Sequence, residues 1–297
     1  MNFDISKLRG TGIAIVTPFD ANENVDYQSL EKLINHLING GVEYLVVQGT
    51  TGESVTLTKK EKREVLDFVI EKTAKRVPVV VGIGGNNTKQ VLEDFDAFDL
   101  TNVDAILSVS PSYNKPTQEG IYQHFKKIAE RSPKPIILYN VPGRTSSNML
   151  ASTTLRLAKE FKNVVAVKEA SGDIGQIMAI IKDRPEGFLV ISGDDAITLP
   201  IIACGGDGVI SVIGNVFPRE FSDMVRLCLQ GAFAKAQVNH YKLLSFVDLL
   251  FKEGNPGGAK AALKILGITG DTMRLPLVNV SDSHFETIKQ AVKKIVG

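Results

Sequence analysis

A lysine occurs at the end of an apolar stretch, as Lys168 in the segment VVAVKEASG that spans residues 164–172. Apolar surroundings disfavour a charged ammonium and shift a lysine toward the neutral amine, which can attack a carbonyl carbon and form a Schiff base. A structural ion pair with a distant carboxylate is the alternative. The adjacent Glu169 is a poor partner, because successive side chains of a barrel strand point to opposite sides. The position near the end of a strand favours chemistry.

Two residues near the preceding apolar segment could serve this chemistry. Tyr139 lies at the end of the run IILYN, and its phenol is beside Lys168 if sequential strands are neighbours, where it can transfer protons during imine formation. Arg144 follows in NVPGRT, after a turn expected at Pro142 and Gly143, and its guanidinium can hold a carboxylate through two parallel hydrogen bonds. A core aromatic residue and a solvated surface cation are the respective alternatives.

The segment GTTGES, residues 49–54, combines glycines with two adjacent hydroxyl groups. Glycine lets the backbone approach an anion closely, and Thr50 and Thr51 can donate to a carboxylate or relay a proton. The lysine of a P-loop is missing here, and GIGG at residues 82–85 lacks the spacing of a dinucleotide loop. No group of His, Cys or acidic residues has the spacing of metal ligands. We therefore expect no cofactor and no metal.

Short apolar runs must position these groups. They are rich in β-branched residues, which is typical of strands covered on both faces in a parallel sheet. The runs begin at Ile13, Tyr44, Val77, Ala105, Ile136, Val164, Phe188 and Gly208. Amphipathic helical patterns lie between them, such as the segment that follows Thr58, where Thr58 and Glu61 form a capping box. Strand and helix alternate with a period of about 30 residues, which predicts a closed (β/α)8 TIM barrel, with a doubly wound open sheet as the alternative.

The strand pattern stops near residue 232. The segments AKAQVNHYKLLSFVDLLFKEG, GGAKAALKILGI and SHFETIKQAVKKIVG that follow are typical of helices. No low-complexity linker separates them from the barrel. We predict a catalytic barrel over residues 1–231 and a C-terminal helical extension over residues 232–297 that packs on it.

Charge and composition narrow the class of partner. Lys and Arg number 34 and Asp and Glu number 33, so the net charge of +1 gives no long-range field that would attract nucleic acid or an anionic membrane. No apolar run approaches the roughly 20 residues of a membrane helix, and the N-terminal MNFDISKLRG lacks the apolar core of a signal peptide. The two cysteines, Cys204 and Cys228, are expected in apolar surroundings and form no CxxC pair, which fits a reducing compartment. We expect a soluble cytoplasmic protein with small-molecule partners.

The motifs GTTGES, SYNKP, YNVPGRT, VKEASG, SGDD and GVISV, in this order, resemble the dihydrodipicolinate synthase family, also called the 4-hydroxy-tetrahydrodipicolinate synthases. The likeness extends over nearly the whole chain. The resemblance implies a class I pyruvate-dependent lyase on a (β/α)8 barrel with a helical C-terminal extension. It also implies that Lys168 forms a Schiff base with pyruvate, whose enamine attacks L-aspartate 4-semialdehyde on the route to diaminopimelate and lysine.

The resemblance assigns the proton relay and the subunit arrangement. Tyr139, Thr50 and Tyr113 match the family's proton-relay triad, in which the tyrosine that corresponds to Tyr113 reaches in from a neighbouring subunit. An active site would then need at least a dimer, and a homotetramer, a dimer of dimers, is the usual form of the family.

The resemblance also assigns the substrate contacts. Thr51 matches the group that holds the pyruvate carboxylate, and Arg144 would bind the carboxylate of the semialdehyde. Gly193 and Ile210 match positions that contact substrate through their backbone carbonyls.

Related activities use the same lysine chemistry. N-acetylneuraminate lyase and 2-keto-3-deoxy sugar-acid aldolases would keep Lys168 and Tyr139 and accept a longer aldehyde. Sialic-acid lyases lack an arginine at the position of Arg144 and usually have GSTGE in place of GTTGE, which favours the synthase. A catalytically silent barrel that binds a keto acid is a third hypothesis, and the complete set of lysine, tyrosine and threonine disfavours it.

One departure from the family pattern concerns inhibition by lysine. Lysine-inhibited members of the family carry an effector pocket at the subunit interface, and Ser54 and Asn86 match it. Other residues stand where feedback-sensitive enzymes tend to carry histidines, a glutamate and a tyrosine; they are Lys59, Lys62, Gln90 and Ser112. Added cations and a lost countercharge disfavour a cationic ligand, so we expect weak or absent inhibition by lysine.

Overall fold

Eight parallel strands close into a barrel in which each strand pairs with the next along the chain and the last pairs with the first. The computed structural model describes residues 3–297. The strands are β1 (Gly10–Ala14), β2 (Tyr44–Val47), β3 (Val79–Gly82), β4 (Ala105–Val109), β5 (Ile136–Asn140), β6 (Val164–Glu169), β7 (Leu189–Ser192) and β8 (Gly208–Ser211). The predicted (β/α)8 barrel is confirmed, and the open sheet is excluded.

The seam between β1 and β8 is built on glycine. Gly10 pairs with Gly208, their φ angles are +105° and +148°, and a Cβ added to Gly208 would lie 2.0 Å from the carbonyl oxygen of Gly10. β1 therefore begins before the apolar run that we expected at Ile13, and it ends at Ala14, well short of the end of that run. Glycine normally weakens a strand, so the start of β1 at Gly10 could not be recognised from the residue pattern.

A buried asparagine joins the loop after β8 to the segment that follows β1. The side chain of Asn215 donates to the carbonyl of Ala14 at 2.9 Å and accepts from the backbone N–H of Val16 at 3.3 Å. The barrel is thus closed at this point by side-chain contacts as well as by the ladder between the strands.

Helices surround the barrel. They are α1 (Tyr27–Asn39), α2 (Lys59–Thr73), α3 (Thr88–Ala97), α4 (Gln118–Arg131), α5 (Pro142–Thr145), α6 (Ala151–Glu160), α7 (Ile174–Asp183), α8 (Thr198–Ala203), α9 (Pro218–Leu229), α10 (Phe233–Phe251), α11 (Gly257–Ile265) and α12 (Asp282–Val296). The capping box predicted for α2 is present, with reciprocal hydrogen bonds between Thr58 and Glu61. Helices α10 to α12 form the expected C-terminal extension, while the division of the chain at residue 232 stays a prediction.

The structure bears on two further sequence-based expectations, one about the cysteines and one about membrane helices. Cys228 is buried as expected, but the expectation for Cys204 is wrong, because α8 ends there and leaves it exposed; both thiols are free. No helix within residues 3–297 combines the length and the apolarity needed to cross a membrane.

From Ala166 onward, after an irregularity in the pairing with β5 that skips Val165, side chains alternate along β6 between two apolar layers. Ala166 belongs to the layer inside the barrel, and Val167 belongs to the layer between the barrel and its helices. Continuation of this alternation sends Lys168 to the inside and Glu169 to the outside. The strand thereby delivers an amine to the carboxyl end of the barrel and keeps the neighbouring carboxylate away from it.

A buried ion pair attaches the C-terminal extension to the segment GTTGES. The side chains of Lys260 on α11 and Glu53 are both 0% exposed and form a salt bridge, and Lys260 also donates to the carbonyl of Thr272 at 2.9 Å. Burial lowers the pKa of Lys260, and the carboxylate of Glu53 opposes this effect. Arg274 adds a second attachment, since its guanidinium contacts the carboxylate of Glu61. The extension is therefore anchored by charge to the loop after β2 and to the first turn of α2.

The buried pair yields a stability prediction. Replacement Lys260→Met leaves the carboxylate of Glu53 buried without its cation, so we expect the free energy of unfolding to fall by about 3–5 kcal/mol in urea denaturation. The matched control is Lys264→Met, which removes a half-exposed partner of Asp271 and should cost less than about 1 kcal/mol. Equal losses for the two variants would contradict this account.

Candidate active site

A cavity of 760 Å³ opens at the carboxyl ends of the barrel strands. Its lining comes from the ends of the strands, from the loops that follow them, and from α10 and the loop after it. It includes most of the predicted site residues, namely Thr50, Thr51, Tyr139, Arg144, Lys168 and Gly193. We call this space the main cavity.

Lys168 lies against the ring of Tyr139 in the main cavity. The two residues are register partners on β6 and β5, and Nζ of Lys168 lies 4.4 Å from the centroid of the tyrosine ring. Lys168 is 6% exposed and forms no ion pair with any carboxylate of the described residues. Within residues 3–297, Lys168 therefore lacks the structural ion pair that was considered as the alternative to chemistry. An amine in such a position is open to a carbonyl compound that enters the cavity.

Glu169 faces away from the main cavity. Its carboxylate accepts hydrogen bonds from the side chains of Asn140 and Gln176 and from the backbone N–H of Ser171. Burial raises the pKa of Glu169, and these hydrogen bonds oppose the shift. The expectation that Glu169 is no partner for Lys168 agrees with this geometry.

The two threonines of GTTGES begin a single turn of 3₁₀-helix that spans Thr50–Gly52. Thr50 is exposed at the cavity, whereas Thr51 is buried and its hydroxyl accepts a hydrogen bond from the side-chain amide of Asn255 at 3.0 Å. Asn255 also lines the main cavity, and its Oδ1 has no hydrogen-bond partner among the described residues. Sequence reasoning missed Asn255, because the extension was expected only to pack on the barrel.

Arg144 lies in a turn of helix at the cavity. We expected a tight turn at Pro142 and Gly143, and the structure instead begins the short helix α5 at Pro142, whose fixed φ suits the first position of a helix. Arg144 is exposed and forms no ion pair within residues 3–297. Its guanidinium is consequently free to receive an anion.

The two positions expected to contact substrate through backbone carbonyls differ in their placement. Gly193 lines the main cavity, and a Cβ added there would lie 2.6 Å from Cβ of Ala170 and 3.1 Å from Cε of Lys168. Only glycine fits this close approach. Ile210 is buried in the barrel interior and is not among the residues that line the main cavity. Its role stays a prediction.

Tyr113 does not line the main cavity of its own chain. Its side chain is 90% exposed, and its backbone has a φ of +69°, a conformation that is uncommon for a bulky residue. The backbone N–H of Tyr113 donates to the carbonyl of Thr145 at 3.3 Å. The loop thus presents the side chain of Tyr113 to solvent.

A buried carboxylate that the sequence analysis did not single out joins the loops after β7 and β8. Oδ2 of Asp195, in the motif SGDD, accepts the backbone N–H groups of Val212 and Ile213 at 3.0 and 2.8 Å. Burial raises the pKa of Asp195 to about 6. These hydrogen bonds fix Val212, which lines the main cavity.

A second cavity of 500 Å³ adjoins the first and shares Thr50, Tyr139 and Arg144 with it. Four of the residues compared above with the effector pocket line it, namely Ser54, Lys62, Asn86 and Ser112. Lys59 and Gln90 do not line it, but both contact the carboxylate of Asp94, which does. In the part of the chain that the structure describes, no group of three or more His, Cys, Asp or Glu residues is arranged to hold a metal ion.

Known proteins resemble the chain over nearly its full length. The model of the dihydrodipicolinate synthetase family matches residues 7–295. A 4-hydroxy-tetrahydrodipicolinate synthase of Flavobacterium psychrophilum is 57% identical over 92% of this chain and 93% of its own length.

Solved structures show the same likeness. The crystal structure of dihydrodipicolinate synthase from Aquifex aeolicus superposes with a TM-score of 0.93 at 40% identity, over 97% of this chain and 98% of that one. The chloride-inhibited dihydrodipicolinate synthase from Acinetobacter baumannii, solved in complex with pyruvate, gives a TM-score of 0.94 at 38% identity, over 97% and 99% of the two chains. On the match of sequence and fold over nearly its full length, the chain belongs to the dihydrodipicolinate synthetase family.

Proposed function

We propose that this chain is a lyase that condenses pyruvate with L-aspartate 4-semialdehyde and releases 4-hydroxy-tetrahydrodipicolinate. The observation that carries the proposal is the contact of Lys168 with Tyr139 in a cavity that Thr51 and Arg144 also line. The names of the relatives and the pyruvate complex of a structural neighbour support the choice of substrates.

The first step is imine formation. The amine of Lys168 attacks the ketone carbon of pyruvate, and water leaves after proton transfers to the carbinolamine oxygen. We assign Tyr139 as the proton donor, because its ring contacts the lysine. Thr50 and a tyrosine hydroxyl from a neighbouring subunit complete the relay to solvent. Thr51, held by Asn255, binds the pyruvate carboxylate together with adjacent backbone N–H groups.

The second step forms the carbon–carbon bond. Loss of a proton from the methyl carbon of the imine gives an enamine, which attacks the aldehyde carbon of the semialdehyde. Arg144 binds the carboxylate of this second substrate, and the backbone carbonyls of Gly193 and Ile210 hold its polar groups. The amino group of the semialdehyde then attacks the imine carbon, closes the ring and displaces Lys168, which regenerates the free enzyme.

The proposed relay also implies an assembly. Tyr113 is exposed and does not line the main cavity of its own chain, which supports a role for its hydroxyl at the site of another subunit. We propose a homotetramer, a dimer of dimers, in which each Tyr113 completes the cavity of a partner.

Borohydride reduction tests the Schiff base. In the presence of pyruvate, we expect a stable adduct on the peptide that contains Lys168, and Lys168→Ala should abolish both the adduct and turnover. The control is Lys162→Ala, since Lys162 is exposed, lies just before the same strand and should leave trapping unchanged. An adduct that persists in Lys168→Ala would place the chemistry on another amine.

Steady-state kinetics test the role of Arg144. Because the guanidinium binds only the second substrate, Arg144→Ala should lower kcat/KM for the semialdehyde by about a hundredfold and leave borohydride trapping of pyruvate intact. Arg131→Ala removes a cation from a surface pair with Asp96 and should change neither measurement. Unchanged turnover in Arg144→Ala would refute the assigned contact.

Complementation tests the borrowed tyrosine. Tyr113→Phe and Lys168→Ala should each be nearly inactive, but randomly mixed dimers of the two should regain about a quarter of the wild-type activity, because hybrid dimers contain one complete site. The control Tyr241→Phe alters another exposed tyrosine and should remain active. Hybrids as inactive as their parents would show that Tyr113 does not act across the interface.

A further inference from the structure

A polar cluster with two buried and two half-buried members lies on the far side of β6 from the main cavity. We call it the Glu169 cluster, and it consists of the side chains of Glu169, Asn140, Asn148 and Gln176. Asn140 donates to both oxygens of Glu169, at 3.0 and 3.2 Å, and to Oδ1 of Asn148 at 2.8 Å. Gln176 donates to Glu169 at 3.0 Å and accepts from Asn148 at 2.8 Å. Each of the four residues therefore contacts at least two others.

The cluster ties together both ends of the loop that carries Arg144. This loop, residues 141–150, connects β5 to α6. Asn140 lies at its start and Asn148 near its end, and Oδ1 of Asn140 accepts the backbone N–H of Met149 at 2.9 Å. The loop is thus closed at its base, and the short helix with Arg144 projects from that base over the main cavity.

The charge of Glu169 matters to this arrangement. Glu169 is 1% exposed and has no cation partner among the described residues, so hydrogen-bond donors alone compensate its burial. Donors from Asn140, Gln176 and the backbone of Ser171 all converge on it. A carboxylate only accepts, whereas an amide at this position would place an NH₂ group against other donors.

The same loop reaches the residue proposed to act on a neighbouring subunit. The carbonyl of Thr145, at the end of α5, accepts the backbone N–H of Tyr113. The hydroxyl of Thr145 donates to the carbonyl of Ser147 at 2.8 Å, with the carbonyl of Val141 as the longer alternative at 3.2 Å, and so stiffens the interior of the loop.

We propose that Glu169 is a positioning residue, which sets the placement of Arg144 through Asn140, Asn148 and Gln176 and so determines how well the carboxylate of the second substrate is bound. This inference rests on the proposed function for the identity of that substrate. Lys168 and Glu169 are then adjacent residues with separate tasks, the first on pyruvate and the second on the acceptor.

The test is the kinetic effect of Glu169→Gln. We expect KM for the semialdehyde to rise about tenfold, while KM for pyruvate and the rate of borohydride trapping stay near their wild-type values. In an Arg144→Ala background, Glu169→Gln should have almost no further effect on the semialdehyde, because the contact through which it acts is already lost. Additive losses in the double variant would overturn the proposal.

Two further variants separate positioning from simple destabilisation. Asp207→Asn alters a buried carboxylate at the opposite end of the barrel, where it contacts Arg184 and the backbone N–H of Val190, and it should lower thermal stability without raising KM. The exchange Glu169→Gln with Gln176→Glu returns a carboxylate to the cluster and should restore most of the affinity. An equal rise of KM in Asp207→Asn would show that the effect comes from lost stability and would contradict the proposal.

Hydrogen exchange gives a readout that does not depend on turnover. Glu169→Gln should accelerate amide exchange in residues 141–150 and leave the strands of the barrel protected. Unchanged exchange in that loop would overturn the positioning role. Wild-type protein that turns over no semialdehyde, with faster loop exchange in Glu169→Gln, would instead refute the proposed function and leave the structural role of the cluster standing.

Discussion

The active site depends on the alternation of side chains along β6. In two successive residues, this strand directs an amine into the barrel mouth and a carboxylate into the layer behind it. If both groups faced the same side, they would form a buried ion pair and the amine would not be available to a carbonyl compound. The barrel ladder makes the separation obligatory, since a shift by one residue would exchange the two sides for every side chain on the strand.

The loops around β6 are held in place by buried carboxylates. Glu169 holds the loop after β5, Asp195 holds the loop after β8, and the pair Glu53–Lys260 holds the loop after β2. Each uses a buried carboxylate, which accepts several hydrogen bonds or a cation at once and so can fix a loop that lacks regular secondary structure. Lys168 and Arg144 are left without an ion-pair partner among residues 3–297. The C-terminal extension is part of this support, because it supplies both Lys260 and Asn255.

Much of the fold could be predicted from local sequence patterns. Many of the contacts that hold the loops around the site could not. The apolar runs and the capping box at Thr58 are local, so they predicted the barrel and the start of α2. The contact of Tyr139 with Lys168 also followed, since neighbouring strands of a barrel are sequential. Asn255 and the partners of Glu169 were missed, because contacts between distant loops leave no periodic signal. The start of β1 at Gly10 was missed because glycine is atypical of strands.

The glycine seam between β1 and β8 has a consequence for how the chain is made. The side chain of Asn215 that completes the closure contacts Val16 across 199 positions of sequence. During translation, β1 therefore leaves the ribosome with one ladder edge unpaired and keeps it so until nearly three quarters of the polypeptide has been synthesised. An exposed parallel edge is prone to pair with other chains. The nascent chain consequently depends on shielding by its own early helices or by chaperones before the last strand emerges.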